Sequence, residues 1–445
     1  MLDRTRTDDV PTTATAIAIA EISERTVNPT GKVSEIRPKD QRDSSRNKRK
    51  PAKSQQKDCG TLRDLLPLFK YEEANALHSK IGGLPIKDFV RRVFYEFDSV
   101  MNEYEALKRE GPISTATYNA FNSNSVKNRY IDIKCYDHTR VTLRGMPPGE
   151  TDYIHANYVD GYKCKKMYIC CQGPLQQTYY DFWHMVWQEQ CMVIAMTTKC
   201  MELNKPKCGQ YWPSQQGTAM ELKPFSIICK RSLDQKSYIY TELILKNADV
   251  RQTRAVIHLL YTAWPDCGVP LNSNVFLSYL DVLRRTQMAL LQKRKPPWKG
   301  RPLGPPIIVH CSAGIGRTGG ISGPFIGTLC AVDICCRKLL ETGYVDVKET
   351  IRRIRSQRFQ AVQKPDQYMF VCLTVIQFAI TYKLMNVTPE VQTEYLRAQD
   401  TVALRSQQEA NLVVVPQVRE GIYYPPEQFA YGTSQENTRN QSMMR

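Results

Sequence analysis

The sequence predicts one α/β domain, a highly twisted mixed β-sheet flanked by helices, on three observations. Between Tyr130 and Pro265, short runs rich in β-branched and aromatic residues follow one another, separated by turn residues. Helical stretches interrupt and follow these runs without the strict strand-helix-strand alternation of a purely parallel sheet. Further on, the apolar triplet Ile307-Ile308-Val309 leads straight into a glycine-rich loop, as a short buried strand would.

Residues 1–60 are rich in Thr, Ser, Asp, Lys and Arg with almost no aromatics, and such a segment buries too little apolar surface to offset ordering. They are expected to form a disordered basic arm, in which Arg46, Lys48, Arg49, Lys50 and Lys53 suit a nuclear signal, a surface tether or a solvated stretch. The folded domain is assigned to residues 61–385. From Asp88 the series Val90, Val93, Phe94, Phe97, Val100, Met101, Tyr104 repeats at helical spacing, with Asp88 as the cap. Strands are expected at Val141–Leu143, Met167–Cys171, Met192–Met196, Phe225–Cys229, Tyr238–Leu245 and Ala255–Tyr261. A helix at Tyr179–Gln190, with Phe182, Met185 and Val186 on one face, interrupts them. A helix at Asn272–Leu291 precedes a basic, proline-rich loop from Lys293 to Pro306. After the buried strand come helices at Leu329–Thr342, Lys348–Arg355 and Pro365 to about Lys383. Residues 386–445 are assigned to a polar, largely disordered tail, and no internal repeat is present.

The 445 residues allow a large core, and 42% hydrophobic with 24% charged content is ordinary for a globular chain. A formal charge of +17 favours acidic partners without choosing among them, so specific nucleic-acid binding is not expected. The fifteen cysteines follow no signal peptide, so reduced thiols are expected. No CxxC pair or finger-like His spacing occurs, and neither a metal nor a cofactor is expected. The longest apolar runs, such as Phe370–Ile380, fall short of the roughly 20 residues of a membrane span. A cytoplasmic protein with access to the nucleus follows, and a monomer is assumed.

The chemistry lies in His310-Cys311-Ser312-Ala313-Gly314-Ile315-Gly316-Arg317-Thr318, a cysteine and an arginine with five residues between them, directly after the buried strand. Such a loop can turn its N–H groups onto one anion, with Ser312, Ala313, Gly314, Ile315 and Gly316 as the cradle. Those amides, Arg317 and a following helix N-terminus would hold the Cys311 thiol at a pKa of about 3.5–7.5, ionised at neutral pH. Arg317 can grip two phosphoryl oxygens in its planar fork. The Thr318 hydroxyl would assist departure of the thiolate. A nucleotide-binding P-loop is excluded because Arg317-Thr318 offers no Gly-Lys pair.

This string resembles the signature of the protein tyrosine phosphatases, of the tyrosine-selective, non-receptor kind. Trp264-Pro265-Asp266-Cys267-Gly268-Val269-Pro270 resembles the family's mobile acid loop, which implies that Asp266 protonates the leaving oxygen and later deprotonates water. Lys127-Asn128-Arg129-Tyr130-Ile131-Asp132 is similar to the substrate-recognition loop, in which Tyr130 would stack on the substrate ring and Asp132 accept from its backbone. Val362-Gln363-Lys364-Pro365-Asp366-Gln367-Tyr368 resembles the loop that positions water, with Gln363 as the match and Gln367 secondary. Asp152 to Tyr158, Gln172-Gly173-Pro174, Asp181-Phe182-Trp183 and Lys207 to Pro213 also match in order. The resemblance places Glu202 as the acid that orients the arginine and Lys207 near the acid loop. It implies phosphotyrosine-containing proteins as partners. His310 is read as a supporting hydrogen-bonder, and each of Trp264, Tyr130 and Gln363 has a plainer alternative, as hinge packing, core and helix cap respectively.

The pattern departs at residues 319–326, eight extra residues after Arg317-Thr318. Pro324 in a helix interior would cost about 3 kcal/mol or more, so the insertion must bulge or displace the helix behind the loop. A phosphotyrosine-binding protein without turnover is therefore the alternative.

Overall fold

The computed structural model describes residues 82–111, 113–202, 204–264, 269–270, 272–314 and 326–412. The arm 1–60, the tail beyond 412, the extra residues 319–325, and Asp266, Ile315, Gly316, Arg317 and Thr318 lie outside the described residues.

The strands are β1 (Leu84–Pro85), β2 (Arg140–Thr142), β3 (Tyr153–Gly161), β4 (Cys164–Cys171), β5 (Val193–Met196), β6 (Met201–Glu202), β7 (Lys205–Pro206), β8 (Ala219–Leu222), β9 (Phe225–Asp234), β10 (Tyr238–Asn247), β11 (Gln252–Tyr261), β12 (Ile307–His310) and β13 (Tyr344–Val345). Nine of them make one sheet in the order β2-β3-β4-β12-β5-β11-β10-β9-β8. Its centre is parallel, from β4 through β12 and β5 to β11. Both flanks are antiparallel, so the sheet is mixed as expected.

The helices are α1 (Ile86–Tyr95), α2 (Phe97–Arg109), α3 (Asn119–Ser123), α4 (Tyr179–Gln188), α5 (Ser273–Lys293), α6 (Ile326–Thr342), α7 (Val347–Gln357), α8 (Pro365–Thr381) and α9 (Pro389–Leu412). Most of them pack on one face of the sheet, around the almost fully buried α8, while α4 covers the other face. Side-chain alternation divides the central strands between the two cores. Ile307 and Val309 of β12 point to the helical core and Ile308 to the opposite one, as Val193 and Ala195 of β5 oppose Ile194 and Met196. Strands covered on both faces read as unbroken apolar runs, which is why these were visible in the sequence. Asn272 and Asp346 accept from backbone amides at the starts of α5 and α7, and Pro365 opens α8 where no donor is needed.

The structure differs from the sequence reading at five points. The helix read from Asp88 through Tyr104 is two, parted where Glu96 leaves helical dihedrals (φ −122°, ψ 41°). Asp88 sits in the first turn of α1, after Pro85 at the cap position, because buried Ile86 already belongs to the apolar stripe. Asp152 to Tyr158, quoted above only as a motif, falls largely in β3 (Tyr153–Gly161). Residues 389–412 of the supposed tail form α9, because Tyr395, Ala398, Val402 and Ser406 make a buried stripe that a polar average composition conceals. Finally, Ile326, assigned above to the insertion, is buried and helical within α6.

One buried carboxylate ties α5 and α6 to strand β4. Asp333 on α6, 3% exposed, accepts from Arg337 Nε at 2.8 Å and Arg284 Nε at 2.5 Å, and also from the Tyr168 hydroxyl of β4. Burial opposes its ionisation, but the Arg284 and Arg337 guanidinium groups and the tyrosine bond outweigh that and hold the carboxyl well below its usual range. A depressed folded-state pKa contributes stability above the unfolded value near ~3.9, which is lost as pH falls through the folded value. Asp333→Asn is therefore expected to lose roughly 3–5 kcal/mol at pH 7 by chemical denaturation. The gap to wild type should narrow below about pH 4, and a gap independent of pH would refute the ionised pairing.

Candidate active site

Strand β12 ends at His310, and the next residues bend with their carbonyls already taken. The His310 carbonyl accepts from Thr197 N at 2.9 Å, and the Ser312 carbonyl from Gly173 N at 2.8 Å. The Ala313 and Gly314 carbonyls accept from Arg358 at 3.2 and 2.8 Å, and the Cys311 carbonyl accepts from His310 Nδ1 at 3.3 Å. Every carbonyl oxygen from 310 to 314 thus has a donor. Gly314 N itself donates to Cys311 Sγ at 3.2 Å. Gly314 holds φ +78°, and a Cβ there would lie 2.4 Å from both Arg358 Nη2 and the Cys171 carbonyl, so only glycine fits.

Arg358, just beyond α7, is 1% exposed. Its other partners are Asn157 Oδ1 at 2.7 Å and His155 Nδ1 at 3.2 Å, so among the described residues its hydrogen-bond acceptors are all neutral. Burial and the adjacent guanidinium push the His155 imidazole down to about 3. Neutral His155 therefore accepts from Arg358 through Nδ1 and donates through Nε2 to the Ile133 carbonyl at 2.9 Å. A buried cation without a carboxylate partner lies directly behind the cysteine loop, an electrostatic setting that favours a thiolate.

The recognition segment is tied to the same loop. Tyr130 Oη lies 2.8 Å from Ser312 Oγ, and its ring packs with Ile133 and Ala313. Arg129 donates to the carbonyls of Gly173 and Pro174 at 2.9 and 2.8 Å, and its amide to Gln172 Oε1 at 2.9 Å. Gly173 in turn donates to the Ser312 carbonyl, so hydrogen bonds join the Tyr130 and Cys311 segments. Asp132 is exposed, and the neighbouring Ile131 is 77% exposed beside the Tyr130 wall.

His310 is fully buried, and burial pushes its imidazole down to about 4. Its Nε2 accepts from Tyr211 Oη at 2.6 Å, which in turn accepts from His258 Nε2 at 2.9 Å. The ring thus anchors the strand end and carries no spare proton. Glu202 is buried, with Oε1 accepting from Thr198 Oγ1 at 2.8 Å and Lys199 N at 3.1 Å. Lys207 is also buried, its amide bonded to the Cys200 carbonyl at 2.8 Å. Trp264 packs edge-on against Phe276 of α5 and Phe370 of α8, a fixed post beside the acid-loop segment.

Gln363 follows a strained turn. Val362 has φ +59°, a costly region for a β-branched residue, and the turn is clamped by Arg355, which donates to the Ala361 and Val362 carbonyls at 2.9 and 2.6 Å. Gln363 does not cap α8: its amide donates to the side-chain oxygen of fully buried Gln367 at 2.8 Å, and its Nε2 donates to Gln360 at 3.0 Å. Gln363 Oε1 is left without a partner among the described residues.

Arg358, His155, Asn157, Arg129 and Arg355 were not assigned roles from sequence. Arg129, His155 and Asn157 lie inside quoted motifs, but Arg355 and Arg358 look like any others in a basic helix end with Arg352 and Arg353. Among the described residues no group of three or more His, Cys, Asp or Glu converges as a metal site, and no helix is long and apolar enough to cross a membrane.

Comparison with known proteins agrees with this geometry. The protein-tyrosine phosphatase family model matches residues 124–377. The chain is 40% identical over 281 residues to human tyrosine-protein phosphatase non-receptor type 9, a match covering 63% of this chain and 46% of that protein. A Lar-like tyrosine-protein phosphatase of Caenorhabditis elegans is 39% identical over 272 residues, 61% of this chain and 11% of the relative. Tyrosine phosphatase-like protein J1 of a Microplitis demolitor bracovirus is 35% identical over 289 residues, 63% of this chain and 92% of its own length. The chain thus spans about half the length of the non-receptor type 9 relatives and nearly all of the viral one. From the cysteine loop outward to the glutamine turn, this chain belongs to the protein-tyrosine phosphatase family.

Proposed function

We propose that this chain hydrolyses phosphotyrosine in proteins through a phosphocysteine intermediate on Cys311. The observation that carries the reading is the bond from Gly314 N to Cys311 Sγ, in a loop whose described carbonyls, from 311 to 314, each accept a hydrogen bond. Amides aimed at the sulfur are equally aimed at the oxygens of a phosphoryl group attached to it. In the first step the thiolate attacks phosphorus, the bond to the tyrosine oxygen breaks, and Asp266 supplies that oxygen with a proton. Arg317 and the loop amides of Ser312 to Gly316 hold the phosphoryl oxygens. In the second step water held by Gln363 attacks phosphorus, Asp266 takes its proton, and the sulfur leaves as thiolate with help from Thr318. Charge neutralisation by the arginine and amides leaves a metal no necessary part in either step.

Tyr130, within hydrogen-bond distance of Ser312, would be the aromatic wall against the phenyl ring, and exposed Asp132 would accept from a peptide backbone. Glu202 and Lys207 are assigned to orienting the arginine and to the acid loop. We place the enzyme in the cytoplasm, acting on phosphorylated proteins. The family match favours turnover over the binding-only alternative.

The test is hydrolysis of p-nitrophenyl phosphate and a phosphotyrosine peptide. Cys311→Ser is expected to abolish turnover while retaining peptide binding, and a wild type no faster than this variant would end the proposal. Arg358→Met is expected to lower kcat about 10- to 100-fold, and Arg358→Lys should not restore it, because a point charge cannot reach both carbonyls. In the same Met variant, alkylation of Cys311 by iodoacetamide should need a higher pH. An unchanged alkylation profile would show that the buried cation does not activate the thiol.

A further inference from the structure

We propose that helix α9 positions the water-holding glutamine for the second chemical step, and that Ser406 is the contact through which it acts. The proposal rests on the phosphatase reading above. The helix begins at Pro389, beyond the family-matched segment that ends at residue 377, so family membership does not account for it.

Its buried stripe runs Tyr395, Ala398, Val402, Ser406. Apolar burial explains the first three, but a hydroxyl only 4% exposed at the end of such a stripe needs a partner. That partner is Asp366, in the first turn of α8, whose Oδ2 accepts from Ser406 Oγ at 2.7 Å. Asp366 Oδ1 accepts from Gln367 N at 2.8 Å, and Gln367 Oε1 accepts from Gln363 N at 2.8 Å. Three hydrogen bonds therefore connect the outermost helix to the backbone of Gln363.

The segment at the end of that chain needs holding. Val362 is strained at φ +59°, and Gly327 of α6 presses so close that a Cβ there would lie 2.8 Å from Val362 N. Gln363 Nε2 is engaged by Gln360, while Oε1 has no partner among the described residues and is buried. That acceptor is where an attacking water would be held, and its direction follows from the backbone that Gln367 fixes. Ser406 is thus a positioning residue for hydrolysis of the phosphocysteine, with no part in its formation.

Pre-steady-state and steady-state hydrolysis of p-nitrophenyl phosphate by the full chain tests this. Ser406→Ala is expected to lower kcat roughly three- to tenfold. The ratio kcat/KM should stay unchanged, because it reports the first step only, so KM falls with kcat and the p-nitrophenol burst grows. Ser406→Thr, which keeps the hydroxyl, should restore turnover. Ala398→Glu, which undocks the helix two turns from Asp366, should give the same signature and keeps the test valid if the alanine variant does not fold. Equal losses in kcat and kcat/KM in these variants, or no loss, overturn the role of α9. A wild type without turnover overturns the underlying reading as well.

Discussion

A single guanidinium, that of Arg358, sets the geometry on which the candidate chemistry depends. It reaches two carbonyls of the cysteine loop, an asparagine oxygen on β3 and an imidazole nitrogen on β3, all from a side chain 1% exposed. Removing a charge from water is expensive, and four hydrogen bonds to neutral acceptors offset only part of that cost. The remaining imbalance is useful at this place. It leaves positive potential behind a cysteine whose reactivity depends on being a thiolate, and the guanidinium holds the Ala313 and Gly314 carbonyls while the Gly314 N–H donates to the sulfur.

Sheet topology explains how so many distant groups meet there. The parallel strands β4, β12 and β5 end side by side, at Cys171, His310 and Met196. The residues immediately after them supply the donors and acceptors that shape the loop: Gly173 after β4 and Thr197 after β5. Open parallel sheets bind ligands at the carboxyl ends of their strands for this reason, since the backbone groups there are no longer committed to the ladder. Arg129 extends the network to the Tyr130 wall through Gly173 and Pro174. The Tyr130 and Cys311 segments are therefore joined through one hydrogen-bond network.

The glutamine turn stores strain that other elements must hold. Val362 occupies a backbone region that costs about 1–3 kcal/mol. Arg355, Gln367 and the close approach of Gly327 are three independent restraints on it, and α9 reaches it through Asp366. Such over-determination is what keeps a strained segment in one conformation when the stable alternative would relax it.

Local pattern carried much of this protein. Apolar runs in β5 and β12 and the periodicity of α5 to α8 were visible in the chain itself, because strands buried on both faces and amphipathic helices impose a period on neighbouring residues. The glycine at 314 likewise agrees with a tight turn after Cys311, since its φ is positive. Folding alone decided that Arg358, among four arginines within seven residues, turns inward, and that His155 stays neutral to receive it. It also decided that a glutamine-rich segment past residue 388 docks as α9. These outcomes are contacts between segments far apart in the chain, in the case of Arg358 and His155 some two hundred residues. No local period encodes such contacts; they follow from which surfaces remain uncovered once the sheet and its helices have packed.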